Sequence, residues 1–214
     1  MCGAGITMIP IIPMPKPPLY LKGKLEIKHT SIVANGGASI NNMTINIGQP
    51  AENRWVICMS VATSANAISS WNAPTINGIS MTQIASDSAT GGNDGQRGAI
   101  WIGKVTTGST ATLYKDTFSA DGSETQIYVM YGVKNPLTSF VTRTGSGSMT
   151  TNAPSCALYY GADNFGTLTS ITNMPFLYPR KFAYNPLITT STTTYTITGT
   201  SMYLNRFVGW SFDY

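Results

Sequence analysis

The chain has one histidine, His29, so any Ser-His-Asp or Cys-His arrangement must use it. Neither its surroundings nor any other stretch has the Gly-x-Ser-x-Gly pattern of a nucleophile elbow. A metal site would lack histidine partners. The pair of acids a glycosidase would need could be sought among Asp116, Asp121 and Glu124, the carboxylates closest in sequence. They fall at a strand end and in a polar turn, where turn geometry already calls for Asp. Asp87 and Asp94 lie in Ser86–Gln96 without the spacing of a calcium loop. The three cysteines, Cys2, Cys58 and Cys156, are odd in number and match no zinc pattern. Cys58 and Cys156 sit in apolar runs and read as reduced, buried small hydrophobes; a bridge between them is the alternative. No Gly-rich stretch has the strand–loop–helix context of a phosphate site. The expectation is a protein that is not an enzyme, with no catalytic residues, no metal and no cofactor.

Binding chemistry has more to work with. Trp71 stands alone in a small, polar stretch, and Tyr159-Tyr160 is an aromatic pair on a short strand. Each ring is either an anchor on the core or a platform on which a sugar could stack. Lys16, Lys22, Lys24 and Lys28, followed by His29, crowd one segment. That segment is either a solvated basic arm or a contact for an acidic surface. Elsewhere charge is scarce: 10% of residues, net +4. Thirteen spread basic residues are too few for a nucleic-acid footprint. Ser, Thr, Asn and Gly supply the polarity, as in β-proteins of assemblies and of adhesins.

The elements that would hold these residues are strands. Arg97–Val133 contains three runs rich in β-branched and aromatic residues, separated by Thr-Thr-Gly-Ser and by Ala120–Ser123, and reads as a β-meander. Along Ile127–Val133 both faces are apolar: Ile127, Val129, Tyr131 and Val133 on one, Tyr128 and Met130 on the other. Ala99–Val105 behaves the same way. A sheet with one wet face should alternate. The expectation is that the outer face is covered by the chain's own terminal arm or by a neighbouring subunit. Leu25–Val33 opens the domain with Ile27 inward. Asn35-Gly36-Gly37 is a turn, and Ile40–Ile47 alternates loosely. Arg54–Ala62 is a central strand. Asn77-Gly78 between Ile76 and Ile79 predicts a type I′ hairpin turn. Ser86–Gln96 reads as an exposed loop and Pro136–Thr144 as a strand. Gly145–Asn152 reads as a loop, Asp163–Pro186 as irregular, Thr192–Thr198 as a strand near an edge. Phe207–Tyr214 is apolar enough to pair inside a sheet. There is no helical period and no internal repeat of fixed period.

Met1–Lys24 is an arm. Prolines at 10, 13, 15, 17 and 18 forbid a membrane-spanning helix and bias the chain to extended geometry. No signal-peptide pattern is visible. Ile9, Ile11, Ile12, Pro15, Pro17, Pro18, Leu19, Tyr20 and Leu21 are too apolar for a disordered linker, so the arm should dock on its own domain or on a partner.

Three runs, Thr75–Ile84, Ala99–Leu113 and Gln126–Val133, resemble a β-sandwich found in virion proteins of tailed bacteriophages: a hairpin, a strand entering a Thr-Gly-Ser-type turn, then an apolar strand. The resemblance covers about residues 54 to 140. It implies a structural role on the particle, as head decoration or as part of the tail or fibre. The resulting expectation is an all-β chain, with an arm over residues 1–24 and an antiparallel two-sheet β-sandwich, jelly-roll-like, over 25–214. The expected partners are other virion proteins and copies of itself, with no nucleic acid and no membrane insertion, in a virion assembled in the host cytoplasm. The alternative is a receptor- or carbohydrate-binding module of a tail fibre or adhesin, with a host-surface glycan stacked on Trp71, Tyr159 or Tyr160.

Overall fold

The computed structural model describes residues 26–35, 40–64, 71–91, 94–115, 122–138, 140–144, 147–152, 155–162, 167–174, 176–178, 182–189, 191–200 and 204–211. The arm, including Ile9 to Leu21, lies outside them. All regular structure among the described residues is β-strand, paired antiparallel.

The first half holds β1 (Glu26–Asn35), β2 (Ile40–Asn46), β3 (Arg54–Ser64), β4 (Thr75–Ile76), β5 (Ile79–Ser80), β6 (Thr82–Gly91), β7 (Asp94–Lys104), β8 (Thr110–Lys115) and β9 (Gly122–Tyr131). They form a sheet ordered β1-β9-β3-β7-β6 and a smaller one ordered β2-β8-β4-β5. The second half holds β10 (Phe140–Thr144), β11 (Gly147–Thr151), β12 (Ser155–Ala162), β13 (Thr167–Ile171), β14 (Phe176–Tyr178), β15 (Phe182–Thr189), β16 (Thr193–Thr200) and β17 (Leu204–Ser211). Its sheets are β10-β17-β12-β15-β14 and β11-β16-β13. Four sheets therefore stand where the sequence reading expects two. Set β5 aside and the two halves have identical strand order, sheet by sheet. The repeat is in topology; the sequence shows none.

Three apolar clusters give the stacking. Val56, Cys58, Trp101, Ile127 and Val129 of the first five-stranded sheet meet Ile40, Ile45, Ile76 and Leu113 of its smaller companion. On the other face Ile57, Met59, Ile100, Tyr128 and Met130 meet Cys156, Leu158, Tyr160, Val208 and Trp210. Beyond these, Ala157 and Tyr159 meet Met149, Ile171 and Tyr195. The order is smaller sheet, five-stranded sheet, five-stranded sheet, smaller sheet. Both inner sheets are buried on both faces, which is why β3, β7 and β9 lose polar alternation. The cover expected from the arm or a neighbour is supplied instead by β2, β8 and β4 of the same chain.

Several local expectations change for the same reason. β7, β8 and β9 are not a meander: β8 crosses to the smaller sheet, while β7 and β9 both pair with β3. The loop expected at Ser86–Gln96 is the end of a long hairpin in which Gly91 pairs with Asp94. Gly145–Asn152 contains β11. The irregular stretch Asp163–Pro186 contains β13, β14 and the start of β15. Pro186 disguises that last strand, and it sits where the β12–β15 register slips, a position at which a strand tolerates proline. β16 is the middle strand of its sheet, not an edge. β3 is central, and β17 lies between β10 and β12, as its apolar sequence requires. Asn77 and Gly78 have φ of 50° and 77°, the type I′ signature, between the paired Ile76 and Ile79.

The two inner sheets approach closely at Gly98 on β7, where a Cβ would collide with the fully buried ring of Tyr160 on β12. Gly98→Ala should lower stability by about 1–3 kcal/mol through overpacking. Tyr160→Leu in the same chain should recover part of the loss. Urea unfolding of the two variants checks it; additive losses would show that ring and glycine do not share this contact.

Candidate functional site

Two buried cations are the chemical features of the first half. β8 alternates outward and inward strictly, and Ala111, Leu113 and Lys115 share the buried face. That parity carries a lysine into the interior, where it is fully buried. Its Nζ donates to Ser123 Oγ at 3.2 Å and lies 5.2 Å from the centroid of the Trp71 ring. Burial pushes its pKa down from 10.5 to about 8, with the nearby Cys58 opposing. Cys58 Sγ lies 3.8 Å from Ser60 Oγ, which shares a 2.7 Å hydrogen bond with Thr125 Oγ1. Burial raises the Cys58 thiol from 9.0 to about 11, so it stays protonated and unreactive at neutral pH.

Arg54, the first residue of β3, faces the same way and is also fully buried. Its Nε donates to Val105 O at 2.6 Å and its Nη2 to Thr107 O at 2.6 Å. Its Nη1 donates to the carbonyls of Gly108 at 2.8 Å, Gly48 at 3.0 Å and Ile47 at 3.3 Å. Gly48 and Gly108 have φ of 68° and 71°, the left-handed geometry that turns these carbonyls inward. Desolvation lowers the Arg54 pKa, but a guanidinium stays charged. Arg54 thus fastens these connections to β3.

The three candidate stacking rings are in the interior. Trp71 is 8% exposed, in the layer between β8 and the first inner sheet, edge-on to Trp101 at 5.1 Å and 81°. Tyr160 is between the two inner sheets and Tyr159 between β12 and the second smaller sheet, both at 0%. A stacking ring needs a free face, and these three are split among three separate cores. Tyr114 is a ring that does reach the surface, at 38%.

Glu124 is buried and accepts a hydrogen bond from Gln126 Nε2 at 2.9 Å; Asp116 and Asp121 lie outside the described residues. No group of three His, Cys, Asp or Glu is placed to hold a metal among the described residues. Cys58 and Cys156 are free and buried. They lie in different clusters, on either side of the first inner sheet, which keeps them from bridging. The sequence reading missed Lys115 and Arg54. For Lys115 the signal was present, as the shared parity of Ala111, Leu113 and Lys115. For Arg54 it was not, because its partners are backbone carbonyls. No family model, curated protein or solved structure matches the chain.

The buried lysine has a pH signature. Below about pH 8 the native state carries the full cost of burying the ammonium. From about 8 to 10.5 it sheds the proton while the unfolded chain keeps it, so stability rises. Cys58 acts oppositely from 9.0 to about 11, where the unfolded thiol ionises first. Unfolding free energies from urea titrations should therefore climb between pH 8 and 9, by up to about 1 kcal/mol. Lys115→Met should remove that climb without lowering stability at pH 7.

Proposed function

We propose that this chain is a non-enzymatic structural subunit of a bacteriophage virion, a head decoration or a tail or fibre component. In this reading it is built from two jelly-roll sandwiches and docks to neighbouring subunits through a proline-rich arm at residues 1–24. The observation that carries the reading is the strand order. In each half the chain crosses back and forth between two facing sheets, staying within one sheet only at β4–β5, β6–β7 and β14–β15, and the first and last strands pair, as β1 with β9 and β10 with β17. Jelly rolls recur in viral capsid and lectin domains. Fold alone does not assign function, so the choice between these rests on the site. The lectin-like alternative loses its three stacking rings to the interior, and the two buried cations do structural work.

The remaining support comes from the sequence. The chain is sparsely charged, its segment 54–140 resembles phage virion sandwiches, and its arm is rich in apolar residues. The inner sheets are closed by their own chain, so in this reading the arm is left for a partner: other virion proteins or copies of itself, in a particle assembled in the host cytoplasm.

Deleting Met1–Lys22 tests it. The truncated chain should keep the β-rich circular dichroism and cooperative melting of the full chain, yet fail to enter particles or oligomers. Normal assembly of the truncated chain would overturn the proposal. So would loss of folding, which would put the arm on its own domain.

A further inference from the structure

We propose that Ile11–Pro17 of one copy adds as a strand to the edge of β10 that is unpaired among the described residues of a second copy, an inference that rests on the arm-docking reading above. The first observation is the parity of the prolines. Pro13, Pro15 and Pro17 alternate with Ile12, Met14 and Lys16, and the prolines of opposite parity, Pro10 and Pro18, bound the stretch. In a strand, every second residue directs its N–H and C=O to the same side. So Ile12, Met14 and Lys16 offer three N–H groups to one neighbour. The other side, where the prolines fall, lacks those donors. Such a segment can join a sheet as an edge but cannot template a further strand. Each of the three pairing residues also precedes a proline, which biases it to extended geometry before binding. That reduces the ordering cost of docking.

The second observation selects the acceptor. The edge strands of the four sheets are β1, β6, β2, β5, β10, β14, β11 and β13. β1, β2, β6, β13 and β14 each have a break in register. β5 is two residues long. β10 and β11 are unbroken, each five residues, the length of Ile12–Lys16. Between them, β10 alone exposes a large apolar side chain among the described residues: Val141, at 47%. Val141 is paired with Gly209, which has no side chain to cover it. The proposal thus puts a strand with apolar Ile12 and Met14 beside the uncovered Val141, the strand-addition mode of peptide recognition. β1, from which the arm departs, packs against β15, while β10 lies at the other edge of that sheet beyond β12 and β17. A contact from one edge to the opposite edge of the next copy is head-to-tail, and it closes into a ring if the rotation allows.

Oligomer size by light scattering, on the full chain and its variants, tests this. Met14→Pro removes a pairing N–H and should weaken assembly about tenfold or more relative to Met14→Ala, which keeps it. Pro15→Ala should stay within about fivefold of the native chain. Val141→Asp should abolish assembly while leaving the melting transition in place. A mixture of an M14C chain and a V141C chain should yield a covalent heterodimer linked at those positions. Equal effects of M14P and M14A, or normal assembly of V141D, would overturn the strand addition. So would a link that forms only within a doubly substituted chain, which would place the arm on its own β10. If the arm deletion abolishes assembly while these variants do not, the arm docks elsewhere and only this inference fails. If the deletion itself assembles normally, the docking reading fails first.

Discussion

Arg54 ties the first half together at the point where the chain leaves one sheet for another. The β2–β3 and β7–β8 connections both cross between the smaller sheet and the inner sheet. Each crossing turns on a glycine of positive φ, Gly48 or Gly108, and each leaves carbonyls facing inward. Buried carbonyls need donors, and no strand is there to supply them. One planar guanidinium supplies five bonds. A lysine has three donors and no fork, and could not span these five positions. The hydroxyl of Tyr131 lies against Gly48, where a Cβ would collide with it. The connections fix where the strands land, so the alternation between sheets depends on this knot.

Lys115 shows the contrast. It lies on the same inner face but has, among the described residues, one hydroxyl acceptor and a ring. Five acceptors make a buried charge tolerable; one does not, and the lysine responds by losing affinity for its proton. Polar atoms elsewhere in the interior are also left over. Trp71 Nε1, Gln96 Oε1 and Gln126 Oε1 are buried without a hydrogen-bond partner among the described residues. Trp55 and Trp210, by comparison, donate their indole N–H groups to Val133 O at 2.8 Å and Pro136 O at 3.0 Å. Both acceptors lie in the connection between the halves, so two core tryptophans hold the linking segment against the layer they share. The halves thus share both an apolar core and the hydrogen bonds of the chain that joins them.

The type of fold was legible because β-branched runs, Gly-rich turns and the Asn77-Gly78 dipeptide act locally. Strands with two apolar faces were legible too, since their composition records burial whatever the source of the cover. The source itself was not. Arg97–Val133 reads as a meander because its strands follow one another closely, yet neighbours in sequence sit in different sheets when connections cross between layers. Ser86–Gln96 reads as a loop because small and polar residues also suit a long, exposed hairpin. The rings at Trp71, Tyr159 and Tyr160 read as a site because sequence cannot tell a ring against solvent from one between sheets. Parity along a single strand decides that. It was decisive for Lys115, where the alternation is strict, and silent for Tyr159-Tyr160, where both faces are buried.

The outer faces of the stack are rich in hydroxyls. The smaller sheets turn outward with Thr44, Thr110 and Thr112 on one side and Ser148, Thr150, Thr194 and Thr196 on the other, nearly all exposed. Several of these hydroxyls already bond one another across strands, Ser148 to Thr196 at 2.8 Å and Thr150 to Thr194 at 3.0 Å. Hydroxyls that bond one another offer a partner little charge, and apolar area on the first smaller sheet comes instead from Met43, Tyr114 and Ile79, at 41%, 38% and 64% exposure. The edges are different. Each edge strand has backbone donors and acceptors on one side with no strand to receive them among the described residues, and water is their default partner. Most edges here are short or broken in register, which blunts them. The proposed contact between copies uses such an edge rather than a face. A segment with donors on one side only fits that constraint: it satisfies an edge and ends the sheet there.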